Sequence, residues 1–222
     1  MANKTPSRVP EKNIELNSLA LAYLVDEIKQ QVEGGFINKI QNIDQKLTKI
    51  KVHTQDGSKD LIVGATAMFI AQHSFQALQQ GSKQHFIESV KKIIYNKRIL
   101  SMKQYSFDKV VVLELPQHNL IIELFGAGNL VLTDKEFAIV AVKKTENLKD
   151  RILKKGHKYV FPAARGLSPP ELDERLGALM ARPGTEAGKA LVKAVNISPA
   201  IAEEALFQIG IDKAKPAERL TK

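Results

Sequence analysis

The sequence predicts an α+β fold, β-meanders first and helices last, and three observations carry that prediction. FINKIQNID and KLTKIKVHTQDGSKDLIVGA alternate apolar and polar residues, the period-2 signature of half-buried strands, with Asp56-Gly57 as the turn between two of them. Two other stretches, one ahead of that meander and one starting at His85, space their apolar residues as helices do. After Lys144 the chain turns polar and basic, then proline-rich over 162–170, and from there only helix-start signals follow. The predicted organisation is a disordered arm over residues 1–13, a β-rich domain over 14–164 and a small helical domain over 165–222.

Taken in order, residues 1–13 are polar and carry Pro6 and Pro10, which disfavours regular structure. A helix is expected from Ile14, with Asn17 or Ser18 as N-cap, Leu19, Tyr23, Ile28 and Val32 as its packed face, and Gly34-Gly35 as its stop. Two strands follow FINKIQNID around the Asp-Gly turn, and Met68 to Ala71 offers another. QHSFQALQQGSKQ reads as a polar connection into a basic helix whose apolar face is Phe86, Val90, Ile93 and Ile94. Strands resume at 110–115, return at 120–125 through a turn at 116–119, and continue through LVLTD and 138–142. Gly126-Ala127-Gly128-Asn129 invites a phosphate-cradle reading, but a dinucleotide fingerprint needs a third glycine and a following helix; a strand follows, so this is a hairpin turn. Ser168, Thr185 and Ser198-Pro199 are expected to open three helices. The helix suggested by Pro216-Ala217-Glu218-Arg219 is cut short at Lys222, as in a fragment of a longer chain.

At 222 residues, 44% hydrophobic and 26% charged, the chain has the composition of a globular protein that folds without metal or disulfide staples. A net charge of +9 and a pI near 9.6 favour a nucleic acid or another anionic surface. The absence of cysteine removes disulfides, thiolate catalysis and cysteine zinc sites together. His53, His73, His85, His118 and His157 stand singly, without metal-ligand spacing, so neither metal nor cofactor is expected. Apolar runs are too short to span a bilayer, and MANKTPSRVPEKN has no apolar signal core, which makes the cytosol the expected location and a membrane an unexpected partner. No Gly-x-Ser-x-Gly elbow, Walker A or kinase signature occurs, and the acids sit mostly beside lysines, so binding leads over catalysis.

The stretch over 85–114 holds the candidate binding residues. Between Glu88 and Lys109 it carries Lys91, Lys92, Lys97, Arg98, Lys103 and Lys109 against Glu88 and Asp108, a local excess of four positive charges that suits a polyanion. A solvated helix face is the alternative reading of such a run. Tyr95, Tyr105 and Phe107 lie beside the cations; Phe107, at a strand entry, is expected in the core, while Tyr95 and Tyr105 suit stacking or packing equally.

Three blocks, SLALAYLVDEIKQQVEGGFINKIQNI, SVKKIIYNKRILSMKQYSFDKVVVLEL and LIIELFGAGNLVLTD, resemble in order and spacing the N-terminal NFACT domain of the ribosome-associated quality-control family, of RqcH and NEMF type, most of all an archaeal member. The resemblance covers nearly the whole chain from residue 14. It implies a fold like the N-terminal β-sandwich of formamidopyrimidine-type DNA glycosylases, with two helices, followed by a helix-hairpin-helix-like module. It also implies a non-enzymatic RNA-binding role. Family members bind the large ribosomal subunit carrying an obstructed peptidyl-tRNA, and recruit tRNA, often alanyl-tRNA, for untemplated tailing of the stalled chain. The family's Asp-Arg pair implicated in tRNA binding falls on Asp108-Lys109, where lysine keeps the charge but loses the bidentate fork. A second family acid falls on Ala20, and a basic residue common in the Gly-x-Gly turn falls on Ala127. Ser198-Pro199-Ala200 replaces the hairpin glycines, which favours packing over phosphate binding there. The candidate RNA-contacting residues are thus Asp108, Lys109, Lys91, Lys92, Lys97, Arg98 and Lys103. Two other classes remain: a DNA glycosylase or AP lyase, disfavoured by the missing N-terminal Pro-Glu and the missing cysteines, and a fibronectin-binding adhesin, a label some relatives carry, disfavoured by the lack of a secretion signal.

Overall fold

The computed structural model describes residues 16–73, 85–163 and 184–220. The expected arm, most of the polar connection before the basic helix, the Ser168 cap and the domain boundary near residue 165 lie outside them. The first helix, α1 (Ser18–Val32), is capped by Asn17, whose side chain accepts the Ala20 amide at 2.9 Å. Its core stripe is Leu21, Val25, Ile28 and Val32, spaced as one helical face. Tyr23, expected on that face, is instead 72% exposed, and Leu19 turns towards the C-terminal helices, because the buried stripe runs along a neighbouring face. Gly34, at φ +79, then takes the left-handed turn that a side chain would strain.

Two antiparallel sheets follow, each in chain order. The first has four strands, β1 (Phe36–Asn42), β2 (Thr48–Thr54), β3 (Gly57–Val63) and β4 (Met68–Ala71). After α2 (His85–Ile94), the second has five: β5 (Ser101–Gln104), β6 (Val110–Glu114), β7 (Asn119–Glu123), β8 (Asn129–Thr133) and β9 (Ile139–Val142). The sequence gives no sign of β5. SMKQ has one buried residue, Met102, and it is a strand because it registers against β6, not because of its own pattern.

One core unites both sheets and both helices. Ile37, Ile50, Val52, Leu61 and Val63 from the first sheet meet Val111, Leu113, Leu120, Ile122, Leu130 and Leu132 from the second, together with the apolar faces of α1 and α2. α1 lies against β5, β2 and β4, and α2 against β1 and β9. The alternate residues of the second sheet, Val110, Ile121 and Val131, face the other way and are buried too. They are covered by the segment the sequence shows only as polar and basic. A two-residue ladder, β10 (Glu146–Asn147) with β11 (Ile152–Leu153), carries Leu153, Tyr159 and Phe161 over that face. Glu123 lies under this cover, 2% exposed, accepting hydrogen bonds from Arg151 Nη1 at 2.6 Å and Tyr159 Oη at 2.7 Å. The Arg151 guanidinium also sits 5.7 Å from the Phe125 ring centre.

At the C-terminal end, α3 (Ala187–Val195) and α4 (Pro199–Gln208) precede a 3₁₀ turn at Ala217–Arg219. Ser198 caps α4, accepting the Ile201 amide at 3.4 Å. Thr185 does not cap α3: Glu186 occupies the cap position without a side-chain bond, and the Thr185 carbonyl instead accepts the Ala217 amide at 2.8 Å, holding the 3₁₀ turn. A backbone acceptor claimed by a distant residue is invisible to local cap rules.

Arg151→Ala strands the Glu123 carboxylate without its cation and is expected to cost about 3–5 kcal/mol in urea unfolding. Replacing the whole network, Glu123→Leu with Arg151→Met and Tyr159→Phe, should cost far less, since no buried polar group is then left unpaired.

Candidate nucleic-acid interface

The expected site residues fall in two places. One is the turn between β5 and β6. Ser106 and Phe107 both have positive φ, +40 and +52, and a bulky residue in that region costs on the order of 1 kcal/mol or more. Packing holds the turn. Phe107 is 5% exposed and inserts among Ala194, Val195, Ile197 and Ala202 of the C-terminal helices, with Leu19 and Ala22 of α1 beside them. The expectation of a core Phe107 holds, though its partners are the late helices and not the sheet core.

Asp108, next in line, is also 5% exposed. Its Oδ1 accepts the Lys109 amide at 2.7 Å, and its carbonyl accepts Gln104 Nε2 at 2.9 Å. The same amide nitrogen donates to the Ser18 carbonyl at 2.9 Å, and Asn196 Nδ2 donates to Ser18 Oγ at 3.0 Å. The start of α1, the β5–β6 turn and the end of α3 therefore form one junction. Asp108 shapes it from inside, and half-buried Lys109 is what it presents. Exposed Ala20, where the family resemblance implies an acid, lies in the first turn of α1 next to this junction.

The second place is the end of α2 and the chain beyond it. Lys91 and Lys92 are exposed in the last turn, where the helix dipole favours cations, and Lys91 pairs with Glu88. Asn96, at φ +55, ends the helix. Arg98 is exposed and donates from Nε to the Gly34 carbonyl at 3.2 Å. Lys97 is half-buried, and Lys103 stands exposed on β5, the strand that runs from this place to the turn. Lys91, Lys92 and Tyr95 meet Ile37, Asn38 and Lys39 across a groove of about 480 Å³ between α2 and β1. The two tyrosines part company: Tyr95 is 60% exposed, whereas Tyr105 stacks on Phe161 with ring centres 3.7 Å apart and belongs to the cover of the second sheet.

The Gly-x-Gly turn is a hairpin turn between β7 and β8. Gly128, at φ +65, approaches the Ala65 backbone so closely that a Cβ would lie 2.3 Å from its Cα. Ala127 brings no charge, but Lys144 Nζ donates to the Ala127 carbonyl, so a cation reaches this turn from beyond β9. Lys143, half-buried, donates to Thr48 Oγ1 at 2.8 Å, and burial pushes its ammonium pKa down. Lys39, Lys143 and Lys144 escape sequence reading because they lie outside the basic run and reach their places through sheet pairing. Among the described residues no group of side chains could hold a metal ion, and no helix is long and apolar enough to cross a membrane.

The model of the NFACT N-terminal and middle domains matches residues 17–222. The chain is 24% identical over 216 residues to the archaeal Rqc2 homologue aRqcH of Methanocaldococcus jannaschii, covering 90% of this chain and 32% of that one. It is 25% identical over 215 residues to the mouse ribosome quality control complex subunit NEMF, covering 92% of this chain and 20% of that one. The chain thus spans about a third or less of these relatives. Among solved structures, the N-terminal part of the fibronectin/fibrinogen-binding protein of Streptococcus suis superposes with a TM-score of 0.77 at 20% identity, over 93% of this chain and 84% of that one. The N-terminal domain of the fibronectin-binding protein PavA of Streptococcus pneumoniae gives 0.74 at 22% identity, over 87% and 83%. At these identities the likeness speaks for the fold.

Phe107→Ala empties the contact between the turn and the late helices. We expect a loss of about 3–5 kcal/mol in global unfolding, together with faster amide exchange in α3 and α4; an unchanged exchange pattern would mean that the junction does not depend on this ring.

Proposed function

Because the chain belongs to the family of NFACT N-terminal and middle domains, we propose that it is the RNA-binding module of a ribosome quality-control factor, acting in the cytosol. It takes up tRNA, alanyl-tRNA among them, beside a large ribosomal subunit that carries obstructed peptidyl-tRNA, and so supports untemplated tailing of the stalled chain. The relatives' names as ribosome quality control subunits support the setting. The observation that carries the RNA reading is the run of cations from α2 through β5 to half-buried Lys109, which follows the positive-φ residues Ser106 and Phe107 and buried Asp108.

In this reading the two places divide the work. Lys91, Lys92, Lys97, Arg98 and Lys103 neutralise phosphates, a contribution that sets affinity and salt dependence without choosing a sequence. The junction supplies the choice. Asp108 fixes the Lys109 amide and with it the direction of the lysine, so a phosphate or base edge meets a cation whose backbone is already ordered. A lone ammonium offers less geometric discrimination than a guanidinium. The module works by binding and breaks no bond, and it needs neither metal nor cofactor. The helix-hairpin-helix-like likeness of α3 and α4 serves packing here: Ser198 is engaged as the α4 cap, and Ala194, Val195 and Ile197 close over Phe107.

Binding to bulk tRNA and to duplex DNA of equal length across a salt series tests this function. We expect tRNA to be preferred at near-physiological salt and the preference to vanish in Asp108→Ala with Lys109→Ala, the salt slope falling by about 0.9 for the single lost phosphate contact. Equal binding of both nucleic acids, unaffected by the double substitution, would contradict the reading, and nicking of an abasic duplex would replace it with an enzymatic one.

A further inference from the structure

The groove between β1 and α2 has a composition that the fold alone does not explain. Its lining includes Lys39, Lys91 and Lys92 and no carboxylate. Its apolar part is Ile37, Ile40 and Ile94, all nearly fully buried, and Tyr95 stands 60% exposed at its end. Lys91 and Lys92 have a structural reason to be there, the carboxyl end of α2. Lys39 has none. In the β1–β2 register it stands directly opposite Lys51, and like charges facing across a ladder destabilise it. The nearby acid is already shared: Asp60 lies 3.3 Å from Lys49 and 3.9 Å from Lys51. Neither Lys39 nor Lys92 has an ion pair among the described residues, whereas Lys91 has Glu88. A bulge between Ile37 and Lys39 places Asn38 out of register at the same spot, and Asn38 lines the groove too.

An exposed aromatic ring beside an apolar slot rimmed by unpaired ammonium groups suits an unstacked nucleotide: the base finds a π-face and the flanking phosphates find cations. A volume of about 480 Å³ accommodates one nucleotide and not a duplex. We propose that the β1–α2 groove binds one unpaired nucleotide of an RNA strand, its base stacked on Tyr95 and its flanking phosphates on Lys39 and Lys92. This rests on the RNA-binding reading above and adds to it a contact separate from the Asp108-Lys109 turn. It also gives Lys39 a reason to face Lys51, since a bound phosphate turns a repulsive pair into a site.

The test uses the whole chain and a fluorescein-labelled single-stranded RNA of about ten nucleotides, within the range one strand-binding fold covers, read by anisotropy across a salt series. Tyr95→Ala should weaken binding about tenfold with no change of charge, and Tyr95→Phe should restore it. Lys39→Glu with Lys92→Glu should flatten the salt slope by about 1.4, two single-strand phosphate contacts, while in Lys39→Glu alone the thermal midpoint holds or rises because the Lys39–Lys51 repulsion is gone. Wild-type RNA affinity in both groove variants overturns the groove and leaves RNA binding at the junction standing. No RNA binding by the unmodified chain overturns both. A poly-glutamate peptide that displaces the RNA, and itself binds Tyr95→Ala as well as wild type, makes the groove a site for acidic protein segments and overturns the nucleotide.

Discussion

The chain over 96–104 is hydrogen-bonded to both sheets, and the rest of the architecture depends on that joint. Asn96 donates to the Ile37 carbonyl at 2.7 Å, the Ile37 amide to the Lys97 carbonyl at 2.9 Å, the Gly34 amide to the Ile99 carbonyl at 2.8 Å and the Ile99 amide to the Gly35 carbonyl at 2.8 Å. One residue on, the Leu100 amide turns to the Glu114 carbonyl at 2.8 Å and β5 begins. Glu33, at the end of α1, reaches the same segment, its carboxylate accepting the Met102 amide at 2.6 Å. Nine residues thus fix the mutual placement of two sheets and a helix. Gly35, whose carbonyl accepts the Ile99 amide, shows how tight the joint is: a Cβ there would lie 2.7 Å from Val52 Cγ1. The cations of the candidate site ride on this joint or on its immediate neighbours, so their spacing is set by backbone hydrogen bonds and not by flexible loops.

Burial of the second sheet on both faces gives that frame its rigidity. One face belongs to the common core, and the other is sealed by the segment after β9 with a carboxylate, a guanidinium and a phenol beneath it. The phenol pKa is raised above its usual range, by burial first and by the neighbouring Glu123 carboxylate second, so Tyr159 remains a donor at any ordinary pH. This cover is confined to the outer face. The groove lies elsewhere, and the β5–β6 turn touches the cover only through Tyr105, so the exposed cations of the basic segment stay open to a ligand.

Much of this fold was legible in the sequence, and the failures are instructive. The strands β1 to β3 follow from period-2 alternation, and β4 and β6 to β9 from short apolar runs, most of them bounded by turn residues. β5 and the β10–β11 ladder were not legible, since SMKQ, EN and IL become strands only when a partner is already in place. Tyr23 was misjudged because helical spacing alone does not say which positions are covered: Leu21, Val25, Ile28 and Val32 meet the core, Leu19 and Ala22 meet α3 and α4, and Tyr23 is left to solvent. At the site, the cations over 91–109 were visible as charge. Lys39 was not, since only the β1–α2 packing brings it to Lys92, and nothing local showed that Asp108 is buried with its carboxylate on the Lys109 amide.

The central claim is that RNA meets the face framed by α2, the joint and the β5–β6 turn. Lysine-reactivity footprinting with and without saturating tRNA tests it most directly, because Lys39 and Lys92 line the β1–α2 groove and Lys109 sits in the β5–β6 turn, while exposed Lys149, Lys154 and Lys155 belong to the segment after β9. The account predicts protection of the first three with the last three as reactive as in the free chain. Protection of the cover lysines with Lys39, Lys92 and Lys109 unchanged would contradict it.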